Sequence, residues 1–352
     1  MQLKHIYHQL DKLKKEAKVI PLKHRDKWVI FSDLHVGDRS SKDDFLTNSQ
    51  LFINSIKYYR DKKFKLFLNG DIEELQRFEY KTIFEKWPDL YQALDQIKEE
   101  NGLLKTIGNH DVEFSFNDEI GLNFPAGQSY IFKHKKGEIF LFHGHQASTF
   151  YFKYNKLVGW ILKYLANPLG INNYSVAHNS RKKYQIEKRV YHYSVYREII
   201  SIIGHTHRPL FESLSKAERL KIQIENLCRE FAREKDDSRL KEIKKTIKSH
   251  KKELKKLFKK NKFESVPYLY NALVHIPCLF NSGTVIGKRG MTCLEIENNR
   301  IRLVHWFDKK LSDKYLNKRG YEPEQVDDSQ NYRMILNQES LDYIFARIKL
   351  LS

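Results

Sequence analysis

The chain has 352 residues, of which 41% are apolar and 13% aromatic, so it can form a large folded core and is not a globally disordered chain. Its formal net charge of +19 favours anionic partners: phosphate-bearing small molecules, nucleic acid or an anionic membrane surface. The three cysteines are far apart and form no CxxC pair, which argues against a zinc ribbon or a disulfide framework.

Five short apolar runs each end in a cluster of polar residues. The runs cover residues 28–32, 64–68, 103–107, 139–142 and 199–203. They are rich in β-branched and aromatic residues and most are bounded by glycine, a pattern typical of buried strands. Helical patterns over residues 45–57 and 87–100 lie between the early strands. Together these patterns predict a layered α/β fold with polar clusters at the carboxyl ends of strands, where open α/β sheets bind ligands.

The pattern changes twice in the second half of the chain. Residues 214–262 contain neither proline nor glycine and keep a helical period throughout, which predicts an antiparallel helical hairpin over residues 212–263. This hairpin is inserted into one domain formed by residues 1–211 and 264–352. Residues 292–296 and 301–307 then predict a β-hairpin, which we place in a second sheet.

The second helix of the inserted hairpin, residues 236–262, is strongly basic. It carries twelve Lys or Arg and four Asp or Glu, a net charge of +8. A basic helix of this kind either lies along anionic lipid or nucleic acid or is simply a solvated helix face.

The chain has no apolar run of the roughly 20 residues that span a bilayer and no apolar leader at its amino end. We therefore expect a cytoplasmic protein, with peripheral attachment to the inner face of the membrane as one option.

The polar clusters contain the side chains that hold divalent metals. They are Asp33-x-His35, Gly70-Asp71, Gly108-Asn109-His110-Asp111, His143-Gly144-His145 and Gly204-His205-Thr206-His207. Carboxylate, amide and imidazole donors suit manganese, iron(II), zinc or nickel, whereas a site without thiolate suits neither copper(I) nor an iron–sulfur cluster.

These clusters, in this order, resemble the calcineurin-like metallophosphoesterase family, whose pattern is D-x-H, G-D, G-N-H-D/E, H and G-H-x-H. The resemblance covers residues 33–207 and implies a four-layer α/β/β/α sandwich of two mixed sheets, here with an inserted helical hairpin. It also implies two divalent metal ions, with manganese favoured. The implied ligands are Asp33, His35 and His207 for one ion, Asn109, His143 and His205 for the other, and Asp71 as the bridge.

The resemblance also implies a reaction. Two metal ions clamp a phosphoryl group and generate a hydroxide nucleophile, so a phosphoester or pyrophosphate bond is hydrolysed. His110 is implied as the general acid, or as a cation that stabilises developing charge, and Glu74 as the carboxylate that orients it. Two alternatives stay open: a metal-dependent nuclease, and an inactive metal-bound scaffold that binds partners through the hairpin.

Within the family, the chain is most similar to the branch that contains UDP-2,3-diacylglucosamine hydrolase. The similarity lies in an aromatic helical stretch over residues 150–171 and the basic segment 179–184 that follows it. It implies that Arg181, Lys182 and His145 contact a nucleotide- or lipid-linked substrate. That hydrolase carries Arg in place of His110 and Asp in place of His145, and it lacks the hairpin, so the substrate stays open.

Overall fold

A computed structural model describes residues 2–115, 126–148, 180–260, 275–316, 318–327 and 329–352. Within these residues the chain is an α/β protein with two mixed sheets, as the sequence predicts. The five-stranded sheet consists, in spatial order, of β1 (Lys18–Pro21), β6 (Ser129–His134), β7 (Gly137–Phe142), β8 (Ile200–Ile203) and β9 (Leu279–Asn281). The eight-stranded sheet consists of β12 (Glu324–Gln325), β13 (Asn331–Ser340), β11 (Arg300–Asp308), β10 (Met291–Glu297), β2 (Trp28–Phe31), β3 (Lys65–Asn69), β4 (Leu103–Thr106) and β5 (Ala126–Gly127).

The described residues form eight α-helices. They are α1 (Gln2–Lys15), α2 (Ser49–Asp61), α3 (Tyr80–Lys86), α4 (Pro88–Glu100), α5 (Ser180–Arg197), α6 (Lys216–Phe231), α7 (Asp237–Lys260) and α8 (Leu341–Leu351). Helices α2 and α4 pack on the eight-stranded sheet, and α1 and α5 pack on the five-stranded sheet. Pro88 occupies the first turn of α4, where its missing N–H costs nothing. No helix within the described ranges is long and apolar enough to cross a bilayer.

Strand β2 shows how the two sheets pack. Its four residues are all buried, because both faces of the eight-stranded sheet are covered. Trp28 and Ile30 point into a core shared with the other sheet, whereas the alternate residues point towards α2 and α4. The Trp28 ring lies 4.6 Å from the Phe132 ring of β6. The sheets therefore pack face to face.

All five predicted strands before residue 204 are confirmed, but the prediction for the β-hairpin is wrong in one respect. Strands β10 and β11 do form a hairpin, closed by Asn298 and Asn299 with φ of 51° and 61°, as a tight turn of this length requires. We placed this hairpin in a second sheet, away from the early strands. It pairs directly with β2, however, with Leu294 opposite Ile30, since β2 would otherwise be an exposed edge. The second sheet is instead formed around β7, β8 and β9.

Helices α6 and α7 lie between β8 and β9 in the chain and pack against each other. Ser215 and Glu218 form a reciprocal capping box at the start of α6. Strands β8 and β9 are parallel neighbours, with Ile203 opposite Asn281, so the chain leaves the sheet and returns to it beside the same strand.

Candidate metal centre

The five polar clusters converge at one end of the sandwich. Three follow β2, β3 and β4 of the eight-stranded sheet, and two follow β7 and β8 of the five-stranded sheet. Hydrogen bonds join these loops directly. The N–H of Asp33 donates to the carbonyl of Gly70 at 3.1 Å, and the N–H of His205 donates to both carboxylate oxygens of Asp33 at 3.0 Å. The N–H of His110 donates to Asp71 Oδ1 at 2.8 Å. The site is thus built across both sheets.

Five of the seven predicted metal ligands have left-handed backbone conformations. Asp33, His35, Asp71, His205 and His207 have φ of 56°, 49°, 53°, 62° and 53°. Residues other than glycine seldom adopt this region, and each such residue costs on the order of 1–3 kcal/mol. Strain of this kind clusters at functional sites, because the surrounding structure fixes side chains in a required direction.

The first group of donors is Asp33, His35 and His207, whose donor atoms all lie within 4.8 Å of one another. The Nε2 atom of His207 lies 3.1 Å from Asp33 Oδ1 and 3.1 Å from His35 Nε2. Burial raises the pKa of Asp33, but His207 and His143 outweigh burial and lower it overall. The carboxylate is therefore ionised at neutral pH.

The second group of donors is Asp71, His143 and His205, again within 4.8 Å. His205 Nε2 and Asn109 Oδ1 are both buried without a hydrogen-bond partner in the described part of the chain. His143 Nε2 lies 3.0 Å from Asp71 Oδ2 without the alignment of a hydrogen bond. An unsatisfied buried polar atom typically costs about 1–3 kcal/mol. Asp71, His143 and His205 lie close enough together to share one cation, which would also satisfy the buried Nε2 of His205, so this group fits a metal.

Asp71 belongs to both halves of the site. Its Oδ2 atom lies 3.0 Å from His143 Nε2 and 3.9 Å from His35 Nε2. Burial raises the pKa of Asp71, but His143 and His110 bring it well below its usual value. One ionised carboxylate therefore lies between the two groups.

Contacts behind the site fix two of the histidine rings. The Nδ1 atom of His143 lies 2.8 Å from the carbonyl oxygen of Asn69, which can only accept, so Nδ1 carries a proton and Nε2 faces the site. Glu74 Oε2 lies 2.8 Å from Nδ1 of His35 and orients that ring in the same way. Outer contacts of this kind are typical of metal-binding histidines. Burial lowers the pKa of His143, but Asp71 and Asp33 raise it to about 9, so a bound cation would displace a proton from Nε2.

Glu74 contacts two histidines, whereas the sequence predicted one. Its Oε1 atom lies 2.8 Å from His110 Nδ1, and its Oε2 atom contacts His35. Burial raises the pKa of Glu74, but the hydrogen bonds with His110 and His35 lower it to about 2. Burial lowers the pKa of His110, and Asp71 and Glu74 raise it to about 9. Without bound metal, His110 is therefore a cation at neutral pH, with its Nδ1 engaged by Glu74.

Of the three predicted substrate contacts, the structure describes the side chains of His145 and Lys182. His145 is buried, with its ring centroid 5.5 Å from that of His143, and burial and the charge of His143 lower its pKa to about 3. Lys182 is exposed on α5. The side chain of Arg181 and the aromatic stretch 150–171 lie outside the described residues. The neighbouring Lys183 is partly buried, and burial lowers its pKa while Glu187 and Asp33 favour its charge.

A buried ion cluster beneath the site was not predicted. Lys105 of β4 is fully buried, forms a salt bridge with Glu73 and lies 3.6 Å from Asp111 Oδ2. Asp111 accepts hydrogen bonds from the N–H groups of Gly108 and Ile72, and so it ties the loop of Asn109 to the loop of Asp71. A lysine between Leu104 and Thr106, in a short strand that leads to a polar cluster, is the signal that could have indicated this cluster.

Comparison with known proteins adds no relative: no protein-family model matches the chain, and no curated protein is similar to it.

Proposed function

We propose that this protein is a phosphoesterase that depends on two divalent metal ions. The observation that carries the proposal is the position of Asp71, whose ionised carboxylate lies between two groups of donor atoms. Each group supplies only oxygen and nitrogen, the donors suited to manganese, iron(II), zinc or nickel. A carboxylate has two oxygens and can join two ions, which is what a dinuclear site needs.

We assign the ligands as the resemblance to the metallophosphoesterase family implies. Asp33, His35 and His207 would hold one ion, Asn109, His143 and His205 the other, and Asp71 both. The support lies in the two compact donor groups and in two buried atoms, Asn109 Oδ1 and His205 Nε2, that have no hydrogen-bond partner among the described residues. We also assign the sandwich to the four-layer metallophosphoesterase fold, because two packed mixed sheets bring these loops together.

Bound ions would supply Lewis-acid polarisation of a phosphoryl oxygen and an activated water. The protein supplies the rest of the chemistry. The Nδ1 of His110 is engaged by Glu74, so Nε2 is the atom left to face a substrate. From there it can donate a proton to the leaving oxygen or stabilise negative charge on it, as general acids do. Glu74 keeps both His110 and His35 in place.

The reaction this arrangement supports best is hydrolysis of a phosphoester or pyrophosphate. The test is turnover of bis-p-nitrophenyl phosphate after chelation and again after addition of manganese. A panel of p-nitrophenyl phosphate, a UDP-linked lipid and single-stranded DNA then ranks the substrate classes. We expect no turnover after chelation and recovery with manganese.

A matched pair of variants makes this test specific. Asp71→Asn should lower the turnover of bis-p-nitrophenyl phosphate by more than roughly 10–100-fold, the loss typical of changes to residues that only contact the metal ligands. Asp313→Asn removes one exposed carboxylate elsewhere on the surface and should keep full activity. Absence of manganese-dependent turnover on every substrate would instead favour an inactive scaffold.

A further inference from the structure

The outward face of α7 carries a continuous row of lysines, which we call the lysine stripe. It consists of Lys241, Lys244, Lys245, Lys248, Lys251, Lys252, Lys255 and Lys256, all of them exposed. These positions recur every three or four residues, so they share one side of the helix. At 1.5 Å per residue the stripe is about 22 Å long.

Among the residues that the structure describes, the charge of the stripe is not neutralised by ion pairs. No salt bridge within the described residues involves any of its eight lysines, although Lys244 lies 5.2 Å from the Phe231 ring. The two nearby acids on α7 are already paired. Glu242 bonds Arg239 at 2.7 Å, and Glu253 bonds Lys216 at 2.6 Å and Lys318 at 3.3 Å. The stripe is therefore a surplus of positive charge.

The opposite face of α7 is used for packing. Ile243, Thr246 and His250 are buried, and Gly320 lies against the last two of them. The tip of the helical hairpin is closed by the salt bridge of Arg239 with Glu230, and its base is held by the contacts of Glu253. These contacts orient α7 with its buried face inward and the stripe towards solvent.

We propose that the lysine stripe binds the surface of an anionic lipid bilayer. Clusters of four to eight basic residues on an amphipathic helix are typical of proteins that attach to anionic lipid. Each lysine at the membrane surface contributes about 1 kcal/mol to the binding free energy. Lysine is a compact, strongly hydrated point charge that fits headgroups without a fixed geometry. Surfaces that bind single-stranded nucleic acid combine cations with stacking aromatic rings, and the stripe contains neither an aromatic residue nor an arginine.

The test uses the full chain and co-sedimentation with vesicles of phosphatidylcholine containing 30% phosphatidylserine. One variant changes Lys241, Lys245, Lys248 and Lys252 to Gln. These four lie on one side of α7, are exposed, and change to a residue of similar helix propensity, so the fold is retained. A contribution of roughly fivefold for each lysine predicts vesicle binding weaker by on the order of several hundredfold. Binding by the unmodified chain should also weaken as salt is raised, because screening shortens to about 8 Å at physiological ionic strength.

A second variant is the control for total charge. It changes four exposed lysines outside α7, Lys18, Lys57, Lys81 and Lys309, to Gln. This variant has the same net charge as the first, and it should bind vesicles within a few-fold of the unmodified chain. Equal weakening in both variants would overturn the proposal, because total charge and not the stripe would then govern binding. Undiminished vesicle binding by the stripe variant would also overturn it. So would binding of the stripe to duplex or single-stranded DNA with no binding to the anionic vesicles.

Discussion

The buried ion cluster beneath the candidate metal centre allows a prediction that does not depend on any metal. Lys105 and Glu73 have side-chain exposures of 0% and 2%, so neither charge is solvated by water. Burial raises the pKa of Glu73, and Lys105 offsets part of that rise. Replacement of Lys105 by Met leaves a carboxyl group buried without its cation, beside the second carboxylate of Asp111. Breaking a buried pair in this way typically costs about 3–5 kcal/mol.

This cost can be converted into a change of melting temperature. Unfolding entropy is about 2.1 cal/mol/K per residue near 60 °C, which for 352 residues gives about 0.7 kcal/mol/K. Lys105→Met should therefore lower the melting temperature by roughly 4–7 °C. Calorimetry or circular dichroism at a fixed scan rate measures the shift.

Two further variants make the reasoning refutable. Lys12→Met breaks an exposed pair with Glu16, whose side chains are 72% and 62% exposed, and should cost less than about 1 kcal/mol. Adding Glu73→Gln to Lys105→Met removes the orphaned charge and should recover most of the lost stability. If Lys105→Met is no more costly than Lys12→Met, or if the double variant is no more stable than the single one, the cluster does not stabilise the site as described.

Two other predictions concern the residues around the metal ligands. Glu74→Gln removes the anion that contacts both His35 and His110, so turnover of bis-p-nitrophenyl phosphate should fall by about 10–100-fold. The control variant Glu79→Gln changes an exposed side chain and should leave turnover unchanged. His110→Asn should keep the metal content found by elemental analysis but lower turnover by about 10²–10⁴-fold. The loss of turnover should be smaller for p-nitrophenyl esters than for alkyl esters. Equal losses on both substrates would assign His110 to phosphate binding and not to proton transfer.

The sequence predicts most of the fold because each of its apolar runs ends abruptly in a cluster of polar residues. Residues such as Trp28 to Phe31 must be buried on both faces, and the following Asp33 must lie at a strand end. What the pattern does not contain is the assignment of strands to sheets. The sequence of β10 does not indicate which strand it joins. It pairs with β2, because strand pairing depends on edges that are distant in the chain.

The polar clusters also indicate where the candidate site lies, but they do not indicate the contacts that support it. The ligands lie in loops whose order in the chain identifies them, whereas the supporting contacts join residues distant in sequence. Glu73 and Lys105 are 32 residues apart, and nothing local indicates that they pair. The sequence also does not distinguish Lys182, the predicted substrate contact, from the adjacent Lys183. The rotation of α5 leaves Lys182 exposed and Lys183 partly buried.

The most direct test of the central claim is the number of manganese ions bound per chain. Isothermal titration of the metal-free protein, with elemental analysis of the loaded protein, gives this number without any assay of activity. We predict two ions for the unmodified chain and for Asp313→Asn. For Asp71→Asn we predict fewer than two, because both groups of donors lose the carboxylate that lies between them. Two tightly bound ions in Asp71→Asn, or none in the unmodified chain, would contradict the dinuclear site.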